Sequence, residues 1–424
     1  WFGKNIEVSM QLLVVTQYFW PENFRVNELV LDLCKRGHQV TVLTGLPNYP
    51  EGRVFSEYRM NPSSFSDFNG AKIVRVPVLG RGRTRLTLFL NYLSFAVSAS
   101  FLGAWRLRSY KCDAVFVYEP SPISVGIPAA FLRKIKRVPM ALWVLDLWPD
   151  TLKAVGIVKS EWILSLVGLL VRWVYDRSDL ILAQSKSFIV HIKRYSSNAA
   201  RVEYFPAWVD DVFLVERNCL PAPEVAEAPG VFTVLFAGNL GEAQDFPAIL
   251  DAAEILSLRV DIRWVLVGDG RMGEWIAQEI KARNLTNKLI MVGRHELDRM
   301  PAFFAHADAL LVSLKKNPIF EMTIPGKLQA YLGSGLPIVA MLDGEGADLI
   351  RESGAGLVSP SGAANLLATN VERLAAMSVR ERAVMGKKGQ SFSKSQFDRE
   401  MLVGRLEGWL NTLLVTKQFK GRSD

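Results

Sequence analysis

The sequence predicts an α/β protein of two tandem doubly wound domains, each with a parallel sheet, facing a common cleft. Three observations carry this expectation. Apolar β-branched runs alternate with amphipathic segments of helical period almost from end to end. The 424 residues exceed what one ordinary core accommodates. The alternation lapses once, in the Pro/Ala/Glu stretch PAPEVAEAPG at 221–230, and then begins again.

Taken in order, QLLVVTQYF (11–19) reads as a strand, NELVLDLCKRG (27–37) as a helix closed by Gly37, and QVTVLTG (39–45) as the next strand. DAVFVYE (113–119), MALWVLDLW (140–148) and DLILAQS (179–185) continue the series. The second alternation has strands at VFTVLFAG (231–238), DIRWVLVGDG (261–270), LIMVGR (289–294), DALLVSL (308–314), PIVAML (337–342) and GLVS (356–359). The segment 393–414 keeps an amphipathic helical spacing, and TKQFKGRSD (416–424) reads as a frayed tail. The expected organisation is an extension at 1–9, a first domain at 10–206, a linker at 207–230, a second domain at 231–392, and a terminal helix and tail at 393–424 that pack back toward the first domain. Both alternations are Rossmann-like, and in such sheets ligands bind beyond the carboxyl ends of the strands. WFGKNIEVS (1–9) lacks the apolar stretch of a signal peptide and is expected to lie outside the fold.

The composition is globular, with 50% hydrophobic and 22% charged residues. Three scattered cysteines and four dispersed histidines form no CxxC or HExxH pattern, which predicts a reducing compartment and no structural metal. Residues 1–205 carry 26 Lys and Arg against 15 Asp and Glu, whereas residues 206–424 carry 24 against 27. The basic first half calls for an anionic partner. With no nucleic-acid motif and no aromatic-interleaved basic run, that partner is expected to be an anionic membrane surface and not a nucleic acid. LTLFLNYLSFAVSASFLGAW (86–105) is uncharged, with Arg81, Arg83 and Arg85 before it and Arg106 and Arg108 after it. It has the length of a spanning helix, the polarity of a core helix, and the flanks of a helix dipped into the interface. The third reading is favoured. WILSLVGLLVRWVY (162–175) carries the same ambiguity.

Two corners point to phosphate. In FEMTIPGKLQAYLGSGLPIVAM (320–341), Pro325 suits a first helical turn, Gly326 admits a ligand to the backbone, and Lys327 adds charge where amides point outward. The plain alternative is an αβ loop with a solvated lysine. In Gly238-Asn239-Leu240-Gly241 a strand ends in glycines whose amides can cradle a diphosphate, or make an ordinary turn. Gly268-Asp269-Gly270 fits turn chemistry better than ligand binding.

QYFWPENFRVNEL (17–29), GLPNYPEG (45–52), VYEPSPISVGIPA (117–129), WVLDLWPD (143–150), FAGNLGEAQDF (236–246), VLVGDGR (265–271), TIPGKLQAYLGSGLPI (323–338) and LDGEGA (342–347), in that order, resemble the two-domain GT-B glycosyltransferases of the retaining family 4. Within that family the chain is most similar to bacterial enzymes that add an amino sugar such as N-acetyl-L-fucosamine during O-antigen or capsule assembly. The resemblance covers roughly residues 10–415. It implies transfer from a nucleotide donor, usually a UDP-sugar bound to the C-terminal domain, to an undecaprenyl-diphosphate-linked saccharide. The enzyme would work at the cytoplasmic face of the inner membrane, as a peripheral or monotopic protein.

The same resemblance distributes roles. Gly238, Asn239 and Gly241 would meet the donor diphosphate, but Asn239 and Gln244 stand where many relatives have Arg and Lys. Lys327, with Arg271 as a second cation, would restore the lost charge. The family's glutamate pair is broken: Met322 and Ala330 occupy its places. Glu321, Asp343 or Glu345 would supply the missing acceptor for a donor hydroxyl, and Arg294 after Gly293 would meet the uracil. Gly326 and Lys327 complete the donor site. In the first domain Glu22, Asn23 and Arg25 occupy the relatives' phosphate and acceptor loop, although Glu22 and Asn23 equally suit a helix cap. Leu145 replaces a histidine, leaving Asp146 to orient or deprotonate the acceptor, with Glu119 as a second carboxylate facing the cleft. The transfer is expected to proceed on the front face, with cations and helix N-termini stabilising the departing diphosphate. No DxD-like pair is evident, so no obligatory metal or other cofactor is expected. A UDP-sugar 2-epimerase of the same fold and a non-catalytic membrane-bound scaffold are the alternatives.

Overall fold

The computed structural model describes residues 9–82, 84–154, 156–196, 201–214 and 219–420. The chain forms two compact units. The first ends at Phe205 and takes up the chain again from Glu400; the second is Pro206–Arg399. Residues 1–8, Arg83 and 421–424, singled out in the sequence, lie outside the described residues, while 416–420, expected to be frayed, continue a helix.

The first unit holds an eight-stranded sheet of β1 (Gln11–Val15), β2 (Gln39–Gly45), β3 (Asp67–Phe68), β4 (Ala71–Val76), β5 (Ala114–Glu119), β6 (Met140–Val144), β7 (Leu180–Ala183) and β8 (Arg201–Tyr204). Their order is β3-β4-β2-β1-β5-β6-β7-β8, and every pairing is parallel except β3 with β4. The second unit holds β9 (Phe232–Ala237), β10 (Ile262–Val267), β11 (Leu289–Gly293), β12 (Ala309–Ser313), β13 (Ile338–Met341) and β14 (Gly356–Ser359) in the order β11-β10-β9-β12-β13-β14, all parallel. Each sheet starts at a central strand, runs to one edge, returns, and runs to the other. The switch point lies between β1 and β5 in one unit and between β9 and β12 in the other, where the loops beyond the strand ends diverge. The two-unit, parallel-sheet fold class expected from the sequence is present.

Several apolar runs outlast their strands. The runs from 11, 140 and 261 pair only as far as Val15, Val144 and Val267. The residues beyond Val15 and Val144 stay apolar because Tyr18, Phe19, Leu147 and Trp148 are buried inside the loops. Strands β3, β4 and β8 were not read from the sequence; the two longer ones carry charges that break an apolar run, Lys72 and Arg75 in β4 and Arg201 and Glu203 in β8. The PAPEVAEAPG stretch is tied down on the second unit: the Ala222 amide donates to Ala302 O at 3.0 Å, an Arg263 guanidinium nitrogen donates to Ala226 O at 2.6 Å, and Arg299 pairs with Glu224 at 2.9 Å.

The single terminal helix expected at 393–414 is two helices, Val379–Gln396 and Arg399–Lys420, because Phe397 turns inward and is buried at the break. The second of them is held to the first unit by Arg36, which pairs with Glu407 at 2.7 Å and with Glu400 at 2.5 Å, and by His38 Nε2 at 2.7 Å from Glu407. The core of the second unit is built from Phe236, Phe246 and Trp264 of the sheet and its first helix, with Leu367 and Val371 of the helix Ala364–Ala376.

Candidate functional site

In the second unit three strand-end loops are sewn together by main chain. The Gly238 amide donates to Val267 O at 2.9 Å, the Gly268 amide to Gly293 O at 2.7 Å, and the Leu240 amide to Asp269 O at 2.9 Å. Gly268 has φ +143°, and a Cβ there would come within 1.9 Å of Gly238 O; a Cβ on Gly270 would come within 2.5 Å of Leu240 O. These glycines are needed for loop-to-loop approach, which is the turn role expected of Gly268-Asp269-Gly270. The Asn239 and Gly241 amides take no part in these bonds, and Asn239 is exposed.

Lys327 lies on the helix Gly326–Ser334, which starts after Pro325 without a side-chain cap. The Tyr331 hydroxyl of the same helix pins it to the end of β9, accepting from the Ala237 amide at 2.9 Å and donating to its carbonyl at 3.1 Å. The side chain of Lys327 crosses the loop after β9. Its Nζ donates to Gln244 Oε1 at 2.7 Å, stands 3.6 Å from the centre of the Phe236 ring, and would touch a Cβ on Gly238 at 3.3 Å. The residue as a whole is half-buried, but its charged end is deep, and burial lowers the ammonium well below the ordinary lysine range. So Lys327 stands beside Gln244, one of the two positions where the resemblance put a missing cation. The underlying Phe236 was not foreseen; it is one apolar residue in a strand of apolar residues.

Other expected donor residues are dispersed around this centre. The space above Gly326 is open. The main chain of Glu321 packs against Gly344, where a Cβ would meet its carbonyl oxygen at 2.0 Å, and a Cβ on Gly346 would meet Pro325 at 3.1 Å. The start of the helix Glu345–Ser353 is thereby brought beside the start of Gly326–Ser334. Asp343 accepts from the Ser361 amide at 3.3 Å. Arg271 and Arg294 are exposed in the loops after β10 and β11.

In the first unit the loop after β1 differs from expectation. Glu22 is no helix cap. It is buried, with Oε1 accepting from the Asn48 and Tyr49 amides at 2.8 and 2.7 Å and Oε2 from the Phe19 amide at 3.1 Å. It binds the loops after β1 and β2 together, and burial raises its carboxyl above the usual range despite the three amides. The helix Arg25–Lys35 instead starts at Phe24 without a side-chain cap. Asn23 is exposed, and Arg25 pairs with Glu28 at 3.8 Å.

Glu119 is also corrected. It does not face open space: the residue is 0% exposed, and neither carboxyl oxygen has a hydrogen-bond partner of ordinary geometry. Burial, and then the neighbouring Asp146 charge, push its pKa well above the usual value, which favours the protonated form over the charged one. A central strand end, covered on both faces, is the reason; the sequence shows the strand but not the cover. Because the unfolded chain releases this proton near pH 4.5 and the native unit keeps it, native stability falls as pH rises from there toward the folded pKa. Glu119→Gln is expected to flatten that slope and raise Tm at neutral pH, as read by thermal melts across pH 4 to 8.

Asp146 is partly exposed. Burial raises its pKa, against the nearby polar groups of Thr151, Trp148, Ser121 and the Leu147 amide, which favour the charged form although Trp148 Nε1 and Thr151 Oγ1 make no hydrogen bond of ordinary geometry. The Tyr92 hydroxyl lies between Ser121 and Arg81 and feels the Asp146 charge. Arg81 donates to Tyr18 Oη at 3.2 Å and stacks 5.1 Å over the Tyr49 ring. Arg81 and Tyr92 were not among the expected site residues, for both come from the stretch read only for its apolar helix. Among the described residues, no group of three or more His, Cys, Asp and Glu side chains is arranged to hold a metal ion.

Comparison with known proteins agrees with this architecture. Residues 23–208 match the model of the glycosyl transferase 4-like domain, and residues 231–377 match that of glycosyl transferases group 1. The chain is 25% identical over 345 residues to a putative colanic acid biosynthesis glycosyl transferase, WcaI, of Escherichia coli K12, covering 77% of this chain and 82% of that protein. It is 24% identical over 233 residues to the probable glycosyltransferase WbjE of Pseudomonas aeruginosa, covering 53% of this chain and 57% of that protein. Among solved structures, sucrose-phosphate synthase of Thermosynechococcus elongatus superposes with a TM-score of 0.72 at 14% identity over 96% of this chain and all of that one. HepE of Anabaena, solved with UDP and glucose, superposes with a TM-score of 0.65 at 15% identity over 95% of this chain and 99% of that one.

Proposed function

Because the chain belongs to the glycosyltransferases of the GT-B fold, we propose that it moves an N-acetylamino sugar from a UDP-sugar to an undecaprenyl-diphosphate-linked saccharide, with retention at the transferred carbon. The setting would be surface-polysaccharide assembly at the cytoplasmic face of the inner membrane; the WcaI relative is described as a putative glycosyl transferase of colanic acid biosynthesis. The observation that carries the donor half of this reading is the Lys327 ammonium, held 2.7 Å from a neutral amide oxygen and beside the Gly238 backbone at a strand end. A cation desolvated there, next to an uncapped helix start, gains most from a doubly charged diphosphate. HepE, which shares the fold, was solved with UDP.

In the reaction the bond from the anomeric carbon to the diphosphate oxygen breaks and one from that carbon to the acceptor oxygen forms. Lys327 and the Asn239 and Gly241 amides stabilise the charge left on the diphosphate. Asp146 orients the acceptor hydroxyl and takes its proton; its raised pKa brings it nearer the working range of a base. No metal ion has a step here, and activity is expected to survive a chelator.

Purified protein incubated with labelled UDP-N-acetylamino sugars, with and without undecaprenyl-diphosphate saccharide, tests the proposal. Labelled lipid product that forms only with acceptor, and still forms in EDTA, supports it. An epimerised sugar without acceptor would make the protein an epimerase, and the absence of both products would leave the scaffold alternative.

A further inference from the structure

We infer that the first unit docks flat on an anionic phospholipid bilayer through one helix-covered face of its sheet. This rests on the proposed reading only in that a lipid-linked acceptor resides in such a bilayer. From β4 onward the chain steps across the sheet in one direction, β5, β6, β7, β8, so right-handed crossovers put the intervening helices on a single face. These are the helical run Arg85–Arg106 and the helices Gly126–Lys136, Glu161–Tyr175 and Lys186–Tyr195. Phe101 and Phe131, from the first two, lie ring to ring at 6.2 Å.

That face is apolar outward as well as inward. Phe101 is 70% exposed, Trp105 60%, Trp162 71% and Leu169 62%, with Phe89 and Leu93 on the same first helix. The helix Arg25–Lys35, formed by a step in the opposite direction, exposes no large hydrophobic side chain. The run Leu86–Arg106 is long and apolar enough to cross a bilayer, but it is fastened lengthwise to its own unit. Phe95, Ala96 and Ala99 are buried, and the buried Asn91 accepts from Gln17 Nε2 at 2.7 Å. It therefore lies along the surface, as the interfacial reading of 86–105 requires and the spanning reading does not.

Charge identifies what covers this face. The four helical segments contain nine Lys and Arg and one Glu, and that Glu161 pairs with Lys153 at 2.7 Å. Arg108 stacks 4.7 Å from Trp105, and Arg177 stacks 4.1 Å from Trp173, so tryptophan and cation stand together near the end of each apolar helix. Indole rings at headgroup depth with cations beside anionic phosphates match this arrangement. A second copy of the same face would bring like charges together.

Sedimentation of the full chain with phosphatidylcholine vesicles, with and without roughly a third of phosphatidylglycerol, tests the inference. Binding is expected only with the anionic lipid, and it should fall steeply with salt. The double variant Phe101→Ser with Trp105→Ser should bind such vesicles at least about tenfold more weakly, since two large apolar side chains no longer insert. Calorimetry with UDP serves as the folding control and should be unchanged in that variant. Equal sedimentation of variant and parent, salt-insensitive binding to phosphatidylcholine alone, or a protein dimer abolished by the same substitutions would overturn it. Loss of UDP binding by the parent chain would instead sink the proposed function and leave this surface standing.

Discussion

Lys327→Met is expected to weaken UDP binding by roughly 30- to 100-fold, the loss of one charge-assisted contact of about 2 to 3 kcal/mol, measured by titration calorimetry. Methionine keeps the aliphatic stem over Phe236 and removes the charge, so the effect is read against an intact fold. The same substitution should raise Tm. Burial depresses the Lys327 pKa below 10.5, so in the interval between the depressed and ordinary values the unfolded chain binds a proton that the native unit does not. Native stability therefore climbs with pH through that interval, and below it the fold carries the full penalty of a desolvated ammonium. UDP affinity should run the other way, falling as pH rises through the depressed pKa in the parent and staying flat in the variant. A variant with parental UDP affinity would remove the lysine from the donor site. This is a place where stability is given up for recognition.

Asp146→Asn is expected to lower kcat by about 10² to 10⁴, the usual contribution of a positioned acid–base group, with UDP affinity essentially unchanged. Asparagine keeps the shape that Thr151, Trp148 and Ser121 surround while it can no longer take a proton. Because burial raises the Asp146 pKa, the acid limb of the parental rate profile should lie above the ordinary aspartate value of 3.8. Steady-state kinetics on the lipid acceptor, paired with UDP calorimetry, separates this outcome from a donor-binding defect. Parental turnover in the variant would leave the proton to the departing diphosphate itself.

These two residues also show what could be read from the chain before folding. Lys327 was legible because a Pro-Gly-Lys corner beyond a strand is a local pattern, and the adjacency of Lys327 to Gln244 then fell out of parallel strand order. The place of Asp146 beyond a strand end was legible from the apolar run before it, whereas its proposed role came from the resemblance. Glu22 and Glu119 were not. Each is a carboxylate beside a strand end, as Asp146 is, and what separates them is how much of the tertiary cover closes over each one. Three amides from two loops surround Glu22, and nothing polar of ordinary geometry reaches Glu119. Strand lengths were overread for a related reason: apolar composition reports burial, and Phe19 or Leu147 is as buried in a loop as in a ladder. Arg81 and Tyr92 were hidden within a segment whose hydrophobicity dominated its reading.

The last feature concerns the order in which the molecule is made. The helix Arg399–Lys420 belongs with the unit that begins the chain, so Pro206–Arg399 is an uninterrupted insertion into a domain encoded in two pieces. During translation the inserted unit can close as soon as it leaves the ribosome, while the first-synthesised unit waits for its final helix and for the partners of Arg36 and His38. The half that starts first is completed last, and a premature stop shortly before residue 399 would damage the beginning of the protein more than its middle.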